Sequence, residues 1–93
     1  MLSKLPIKLE KVTGERLDME ILRAAIIAEL DAINLYEQFA LNTENEDLKK
    51  VLLEVAKEEK THVGEFQTLL LKMDKEQNEE LEKGRKEVET LTG

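Results

Sequence analysis

The stretch MEILRAAIIAELDAINLYEQFAL, residues 19–41, decides the fold. It contains no Gly or Pro and is rich in Ala, Leu, Ile and Glu, a composition that favours one uninterrupted helix. Asp18, directly before it, is a suitable N-cap, and Glu20 falls in the first turn, where a negative charge is favourable. The sequence therefore predicts a helix over residues 19–41.

A second helical stretch follows after a short polar cluster. Asn42-Thr43-Glu44-Asn45 is typical of a turn. The chain then continues without proline to Met73, with Gly64 as one interior glycine. This predicts a second helix over 45–73 and a third, more polar helix over 75–91. Because the first turn is short, the first two helices should pack antiparallel as a hairpin.

Residues 1–17 differ in character from the rest of the chain. Leu5, Ile7 and Leu9 alternate there with polar residues and Pro6. This pattern fits either a short extended arm or a disordered lead. The expected organisation is thus an arm over 1–17 and one all-α domain over 18–93.

Length and composition exclude several classes of protein. The chain has 93 residues, a net charge of −7, no Cys and one His. The absence of Cys excludes disulfides, thiolate zinc sites, iron–sulfur clusters and Cys nucleophiles. The acidic balance argues against nucleic-acid binding, and no apolar run approaches the ~20 residues of a membrane span. The start of the chain lacks a signal peptide's apolar segment. These features predict a soluble cytoplasmic protein.

Two long helices do not enclose a core. Each has apolar residues on more than one face, so we expect exposed apolar surface on a single chain, and hence self-association. The predicted fold is half of a four-helix bundle, completed by a second copy. Phe39, Phe66 and Met73 are expected in the core.

Three polar residues interrupt the apolar stripes near the middle of both helices. On the first helix the stripe is Leu22, Ile26, Glu29, Ile33, Tyr36 and Ala40. On the second it is Leu48, Leu52, Val55, Glu59, His62, Phe66, Leu69 and Met73. An ionised carboxylate on a core stripe is unfavourable unless it is paired or bound to metal.

Glu59-Lys60-Thr61-His62 places a carboxylate and an imidazole on one helix face, at spacing i, i+3. Di-iron carboxylate bundles use two Glu and two such Glu-x-x-His motifs. This chain supplies half of that set, so a two-fold dimer would supply six ligands. We expect Glu59 to bridge two metals about 3.5–4 Å apart, with Glu29 and His62 as terminal ligands.

Other interpretations of these residues stay open. Glu-x-x-His occurs by chance in many helices; His62 could be a satisfied core histidine, and both Glu could lie on a solvated flank. Glu58 could replace Glu59, although only Glu59 has the i, i+3 spacing to His62. Tyr36 is either core or a group that hydrogen-bonds a ligand or supplies an electron. Three acidic residues near the cluster are expected on solvated faces: Asp31, Glu37 and Glu65. For Asp31 and Glu65, a secondary ion-entry site is an alternative.

The stretches IIAELDAINLYEQFA (26–40) and VAKEEKTHVGEFQTLL (55–70) resemble the encapsulated ferritins, the ferritin-like proteins held inside encapsulin nanocompartments. The likeness covers residues 19–73 well and the remainder loosely. It is greatest to the ferritin-like domain fused ahead of the shell protein in archaeal encapsulins, where a stretch similar to EVETLTG (87–93) precedes the shell. The chain could be such a domain or a complete small protein.

The resemblance implies a function and a set of partners. It implies a ferroxidase that oxidises Fe(II) to Fe(III) with dioxygen at a two-iron site between two chains, with dimers forming a ring, typically a decamer. The surrounding encapsulin shell would store the mineral. The implied metal ligands are Glu29, Glu59 and His62, with Tyr36 also matched. Ca²⁺, Zn²⁺ or Mn²⁺ could take the same ligands in a crystal. Ala28 departs from relatives that carry an acidic residue there.

Functions of other classes compete with this one. A rubrerythrin-like peroxidase would use the same metals. In a non-catalytic helical interaction module, the three polar residues would fix only the register of a dimer. Zinc or manganese binding without redox chemistry is a third interpretation.

Overall fold

The structure is a computed structural model that describes residues 14–93. It contains three helices in chain order: α1 (Gly14–Asn42), α2 (Glu46–Met73) and α3 (Lys75–Thr92). No strand occurs within this part of the chain. The predicted all-α architecture of a hairpin plus a C-terminal helix is thereby confirmed. Among residues 14–93, no helix combines the length and apolarity needed to cross a bilayer.

Helix α1 begins at Gly14 rather than at Met19 as predicted, and Asp18 lies inside it instead of capping it. Gly14 has φ +64°, a backbone conformation that glycine adopts readily. Glu15 follows in the first turn, and Arg16 Nε lies 3.6 Å from Glu20 Oε2, one turn away. These favourable charges extend the helix. Residues 14–17 of the predicted arm are therefore helical; the rest of that arm lies outside the described residues.

The turn between α1 and α2 is held by polar groups that the sequence supplies locally. The Asn45 side chain accepts a hydrogen bond from the Leu48 backbone N–H at 2.9 Å, which makes Asn45 the N-cap of α2. The Thr43 hydroxyl accepts one from the Asn45 N–H at 3.2 Å. With only three residues between the helices, α1 and α2 pack antiparallel along their lengths.

The hairpin buries few side chains, and half of them are alanine. Ala40 and Ala56 are the most buried, at 2% and 1% exposure. The other buried residues are Leu22, Ala24, Ile33 and Leu70. On α2 the contact therefore centres on Ala56 and Leu70, one residue beyond the predicted stripe positions Val55 and Leu69.

Much apolar surface stays exposed on the single chain, as expected for two helices. Leu30 and Phe39 are 49% and 50% exposed, and Met73 is 37% exposed. The expectation that Phe39 and Met73 are core residues is thus wrong for one chain. Phe66 is half-buried. A hairpin has only one inner face, so apolar residues on its flanks form a surface that suits association with another molecule.

Helix α3 contrasts with the hairpin because none of its residues is buried. It does not pack along α1, and its contact with α2 is confined to a few residues. Asp74, the only residue between α2 and α3, serves as C-cap of the first and N-cap of the second. The overall dimensions, 45 × 44 × 19 Å, reflect a flat molecule in which α3 turns away from the hairpin axis.

Candidate metal centre

Glu29, Glu59 and His62 come together at the middle of the hairpin. Glu29 lies on α1, between the buried residues Leu22 and Ile33. The other two lie on the facing stretch of α2, one turn apart, just beyond Ala56. Because α1 and α2 are antiparallel and joined by a short turn, residues near the centre of one helix meet residues near the centre of the other. The sequence prediction named these same three residues.

The ligand-type atoms of the cluster are close enough to share one ion. His62 Nδ1 lies 3.4 Å from Glu29 Oε2 and 3.4 Å from Glu59 Oε2. One donor atom from each of the three residues can be chosen so that all lie within 4.8 Å of one another. Two carboxylates and an imidazole form the mixed oxygen and nitrogen set that suits iron, manganese or zinc.

Glu29 Oε2 carries the strongest indication that the cluster can hold a cation. This oxygen is shielded from solvent and accepts no hydrogen bond from any residue that the structure describes. A shielded carboxylate oxygen of this kind is unfavourable, because no hydrogen bond replaces those that it made to water. A metal ion held between Glu29, Glu59 and His62 would satisfy it. The residues present therefore fit a divalent metal.

The cluster opens toward the surface on the side of the histidine. The side chains of Glu29 and Glu59 are 20% and 18% exposed, whereas that of His62 is 43% exposed. A single chain thus offers three protein ligands on one side of the site, and the other side faces solvent. Metal ions of this class take more than three ligands. Further ligands would come from outside this cluster, for example from water or another molecule.

Tyr36 lies on the same helix as Glu29, two turns nearer the hairpin turn, and is half-buried. Its ring meets that of Phe39 edge to face, with centroids 6.5 Å apart and planes at 72°. This contact supports the expectation of a packing role. Its assignment as a catalytic group remains a prediction.

The neighbouring acidic residues divide between solvent and ion pairs. Glu58 and Glu65 are exposed on α2, and Asp31 is half-buried on α1. The Glu37 side chain is 43% exposed, as expected for a solvated residue, and it also forms an ion pair in which Lys60 Nζ lies 2.9 Å from Glu37 Oε2. Lys60 follows Glu59 directly, so this pair ties α1 to α2 beside the cluster. The apolar stripes do not reveal it, because both residues lie on the flanks of their helices.

A second interhelical ion pair lies at the other end of the hairpin. Arg23 Nη2 on α1 lies 2.7 Å from Asp74 Oδ2. The backbone N–H of Gln77 donates to Asp74 Oδ1, and together with Arg23 this holds the pKa of the Asp74 carboxyl below its usual range. No periodicity marks this pair, since Asp74 lies between two helices. An Asp at the start of a helix indicates an N-cap, but it does not indicate which basic residue will pair with it.

The helical hairpin with a central Glu, Glu and His cluster defines a ferritin-like helical protein with a carboxylate–histidine site. The sequence profile of the rubrerythrin family matches residues 20–92. A crystal structure of the encapsulated ferritin domain from Pyrococcus furiosus is 57% identical, with a TM-score of 0.87, over 100% of this chain and 97% of that one.

Two longer proteins are also similar. A ferritin-like–encapsulin shell fusion protein of Pyrococcus furiosus is 65% identical over 81% of this chain, and 22% of the fusion protein is covered. An encapsulin nanocompartment cargo protein of Myxococcus xanthus is 45% identical over 72% of this chain and 51% of the cargo protein. The chain thus matches at most about half the length of these two relatives. It belongs to the rubrerythrin family and, within it, to the encapsulated ferritins.

Proposed function

We propose that this protein is a ferroxidase, which oxidises Fe(II) to Fe(III) with dioxygen at a two-iron site formed where two copies meet. The observation that carries the proposal is the solvent-shielded Glu29 Oε2, which faces His62 and lacks a hydrogen bond. Its position opposite a Glu-x-x-His motif reproduces half of the ligand set of di-iron carboxylate bundles.

The second copy completes the ligand set in this proposal. One chain contributes Glu29, Glu59 and His62, and the cluster is open to solvent beside His62. A two-fold axis at that opening would bring six ligands around two Fe(II) ions. Exposed apolar residues along the hairpin, such as Leu30 and Phe39, support association, because a dimer would remove them from water.

Each residue has a distinct role in the proposed reaction. Glu59 would bridge the two substrate ions and hold them close enough for both to give an electron to the same dioxygen molecule. Glu29 and His62 would act as terminal ligands. Anionic carboxylates favour the ferric product, because they compensate its added positive charge. The net charge of −7 would also raise the local concentration of Fe(II).

Names of the relatives suggest the setting of this activity. The Pyrococcus furiosus relative is named as a fusion with an encapsulin shell, and the Myxococcus xanthus relative as a nanocompartment cargo. We infer that this protein acts inside an encapsulin nanocompartment in the cytoplasm, as a ring of dimers, typically a decamer. The shell would hold the ferric mineral.

Rapid mixing of Fe(II)-loaded protein with dissolved dioxygen tests the proposal. Initial rates of Fe(III) formation should fall by at least about 10–100-fold in Glu59→Gln and in His62→Ala, since even the loss of residues that only support ligands has effects of this size. Glu58→Gln is the matched control, because Glu58 is the exposed neighbour and should leave the rate unchanged. Wild-type rates in either ligand variant would overturn the proposal.

A peroxidase is the second candidate, and the match to the rubrerythrin profile favours it. The chain has no Cys, so electrons could not pass through a thiolate iron centre of its own. Turnover of the Fe(II)-loaded protein with hydrogen peroxide and with dioxygen, measured side by side, separates the two functions. A faster reaction with dioxygen supports the ferroxidase.

A further inference from the structure

Asp74 is the sole connection between α2 and α3, and every polar group it has is engaged. Its backbone N–H donates to the Leu70 carbonyl at 2.8 Å, and its own carbonyl accepts from the Asn78 N–H at 3.1 Å. Carboxylate Oδ1 accepts from the Gln77 N–H at 2.9 Å, and Oδ2 from Arg23 at 2.7 Å. One residue thus ends α2, starts α3 and ties both to α1.

Within residues 14–93, little else fixes the direction of α3. None of its residues is buried, and it does not pack along α1. The space beside the bend is an open groove lined by Ile26, Leu71 and Leu81 among others, rather than a filled core. Since α3 is roughly 27 Å long, a rotation of 10° at Asp74 would move its far end by about 5 Å. The direction of the helix therefore depends on the contacts of Asp74.

The sequence around the bend would also support a straight helix. Residues 70–78, LLKMDKEQN, contain no Gly or Pro, and most of them are good helix formers. Asp is the exception, because its side chain competes with the helix for backbone N–H groups and favours an N-cap. A bent α2–α3 unit and one continuous helix are therefore two alternatives for the same residues.

We propose that Asp74 and Arg23 form a charge-dependent latch that keeps α3 bent away from the hairpin, and that neutralising Asp74 releases α3 toward a continuous α2–α3 helix. The ionised carboxylate can accept from Arg23 and Gln77 at the same time, as observed. The bend in turn sets where the exposed apolar residues Leu81, Val88 and Leu91 point. This inference concerns the shape of the chain and does not rest on its iron chemistry.

Acid should open the latch. The lowered pKa of Asp74 means that the bent state favours the ionised carboxylate. The stabilisation of the bent state by this carboxylate is complete above the pKa that Asp74 has in the unfolded chain. It is lost as the pH falls through the lower pKa that Asp74 has in the folded chain. Arg23 is the charged group that faces Asp74 from α1. From α2 and α3, the charged neighbours along the chain are Lys72, Lys75 and Glu76, all exposed.

Distance measurements between two spin labels test the latch. The chain has no Cys, so labels at Glu54→Cys on α2 and Thr90→Cys on α3 are unique. Labelled chains diluted into excess unlabelled protein report distances within one chain. A continuous helix would separate the two positions by roughly 54 Å, and the bent form by less. The wild-type background should show mainly the shorter distance.

The variants distinguish a latch from a passive linker. Asp74→Ala should raise the population at the long distance at least about fivefold, because it removes both the cap and the ion pair. Arg23→Gln removes the ion pair alone and should raise this population about two- to fivefold. Lys57→Gln, which removes an exposed cation elsewhere on the hairpin, is the matched control and should leave the distribution unchanged.

A pH series completes the experiment. Acidification should move the wild type toward the long distance, whereas Asp74→Asn, which keeps an N-cap side chain without a titrating group, should show no such movement over the same range. Wild-type distributions in both Asp74→Ala and Arg23→Gln would overturn the proposal, and so would an equal pH response in Asp74→Asn.

Discussion

The hairpin α1–α2 and helix α3 consist of similar helix-forming residues but are stabilised by different interactions. The hairpin is held by burial, with Ile33, Ala56 and Leu70 almost inaccessible to solvent. Helix α3 buries nothing and is held by its cap at Asp74 and by ion pairs of Arg85 with Glu82 and Glu89. The comparison teaches that burial fixes the two helices that carry the metal cluster, whereas the polar contacts of one residue, Asp74, fix the direction of α3.

The largest stability difference between the two regions should appear on truncation of an apolar side chain. Ile33→Ala in the hairpin should lower the free energy of unfolding by about 2–5 kcal/mol, because it leaves a cavity between α1 and α2. Leu91→Ala is the matched change in α3, where Leu91 is 84% exposed, and should have an effect below about 0.5 kcal/mol. Urea unfolding measures both. An equal loss of unfolding free energy in the two variants would show that burial does not distinguish the hairpin from α3.

Metal binding should stabilise the hairpin only when Glu29 is present. At a metal concentration 100 times the dissociation constant, Mn(II) or Zn(II) should raise the free energy of unfolding of the wild type by about 2.7 kcal/mol. Glu29→Gln should lose this gain, while its metal-free stability should not fall, because the shielded oxygen it alters has no hydrogen bond. Thermal melts with and without metal measure this. If metal stabilised Glu29→Gln as much as the wild type, Glu29 would not be a metal ligand.

The cap of α2 should matter less than the core. Asn45→Ala removes the hydrogen bond to the Leu48 N–H and should cost about 1 kcal/mol. Asn45→Asp is the control, since it preserves a capping oxygen. Chemical unfolding of the two variants should therefore differ, and identical stabilities would show that the turn is held by other contacts.

Helix α3 should show the smallest and most pH-dependent effect. The hydrogen bonds from Arg85 hold the pKa of the Glu82 carboxyl below its usual range. Their contribution is present above the unfolded pKa and is lost as pH falls through the folded one. Arg85→Gln should remove this part of the pH dependence of helicity, measured by circular dichroism. An unchanged pH profile in Arg85→Gln would show that the pairs contribute nothing.

The helices and the metal cluster were predictable from the sequence because both depend on periodicity. Glu29, Glu59 and His62 interrupt apolar stripes, and a short turn brings the middle of one helix opposite the middle of the other. The start of α1 was less predictable. Asp18 looked like an N-cap, but the helix begins four residues earlier, at Gly14, where charged residues such as Glu15 are favourable in the first turn.

Other features depend on packing that a periodic pattern does not contain. The predicted stripe on α2 did not include the buried residues Ala56 and Leu70, because the face that a helix buries depends on its packing against the neighbouring helix. The pairs Lys60–Glu37 and Arg23–Asp74 join residues far apart in the chain, and many charged residues could have been their partners.

Iron-edge anomalous diffraction from crystals of the protein soaked in Fe(II) tests the central claim most directly. We expect one iron per chain, in pairs about 3.5–4 Å apart on a two-fold axis, with Glu29, Glu59 and His62 of both chains as ligands. Iron held elsewhere, or bound within one chain with no second copy across the site, would contradict the account.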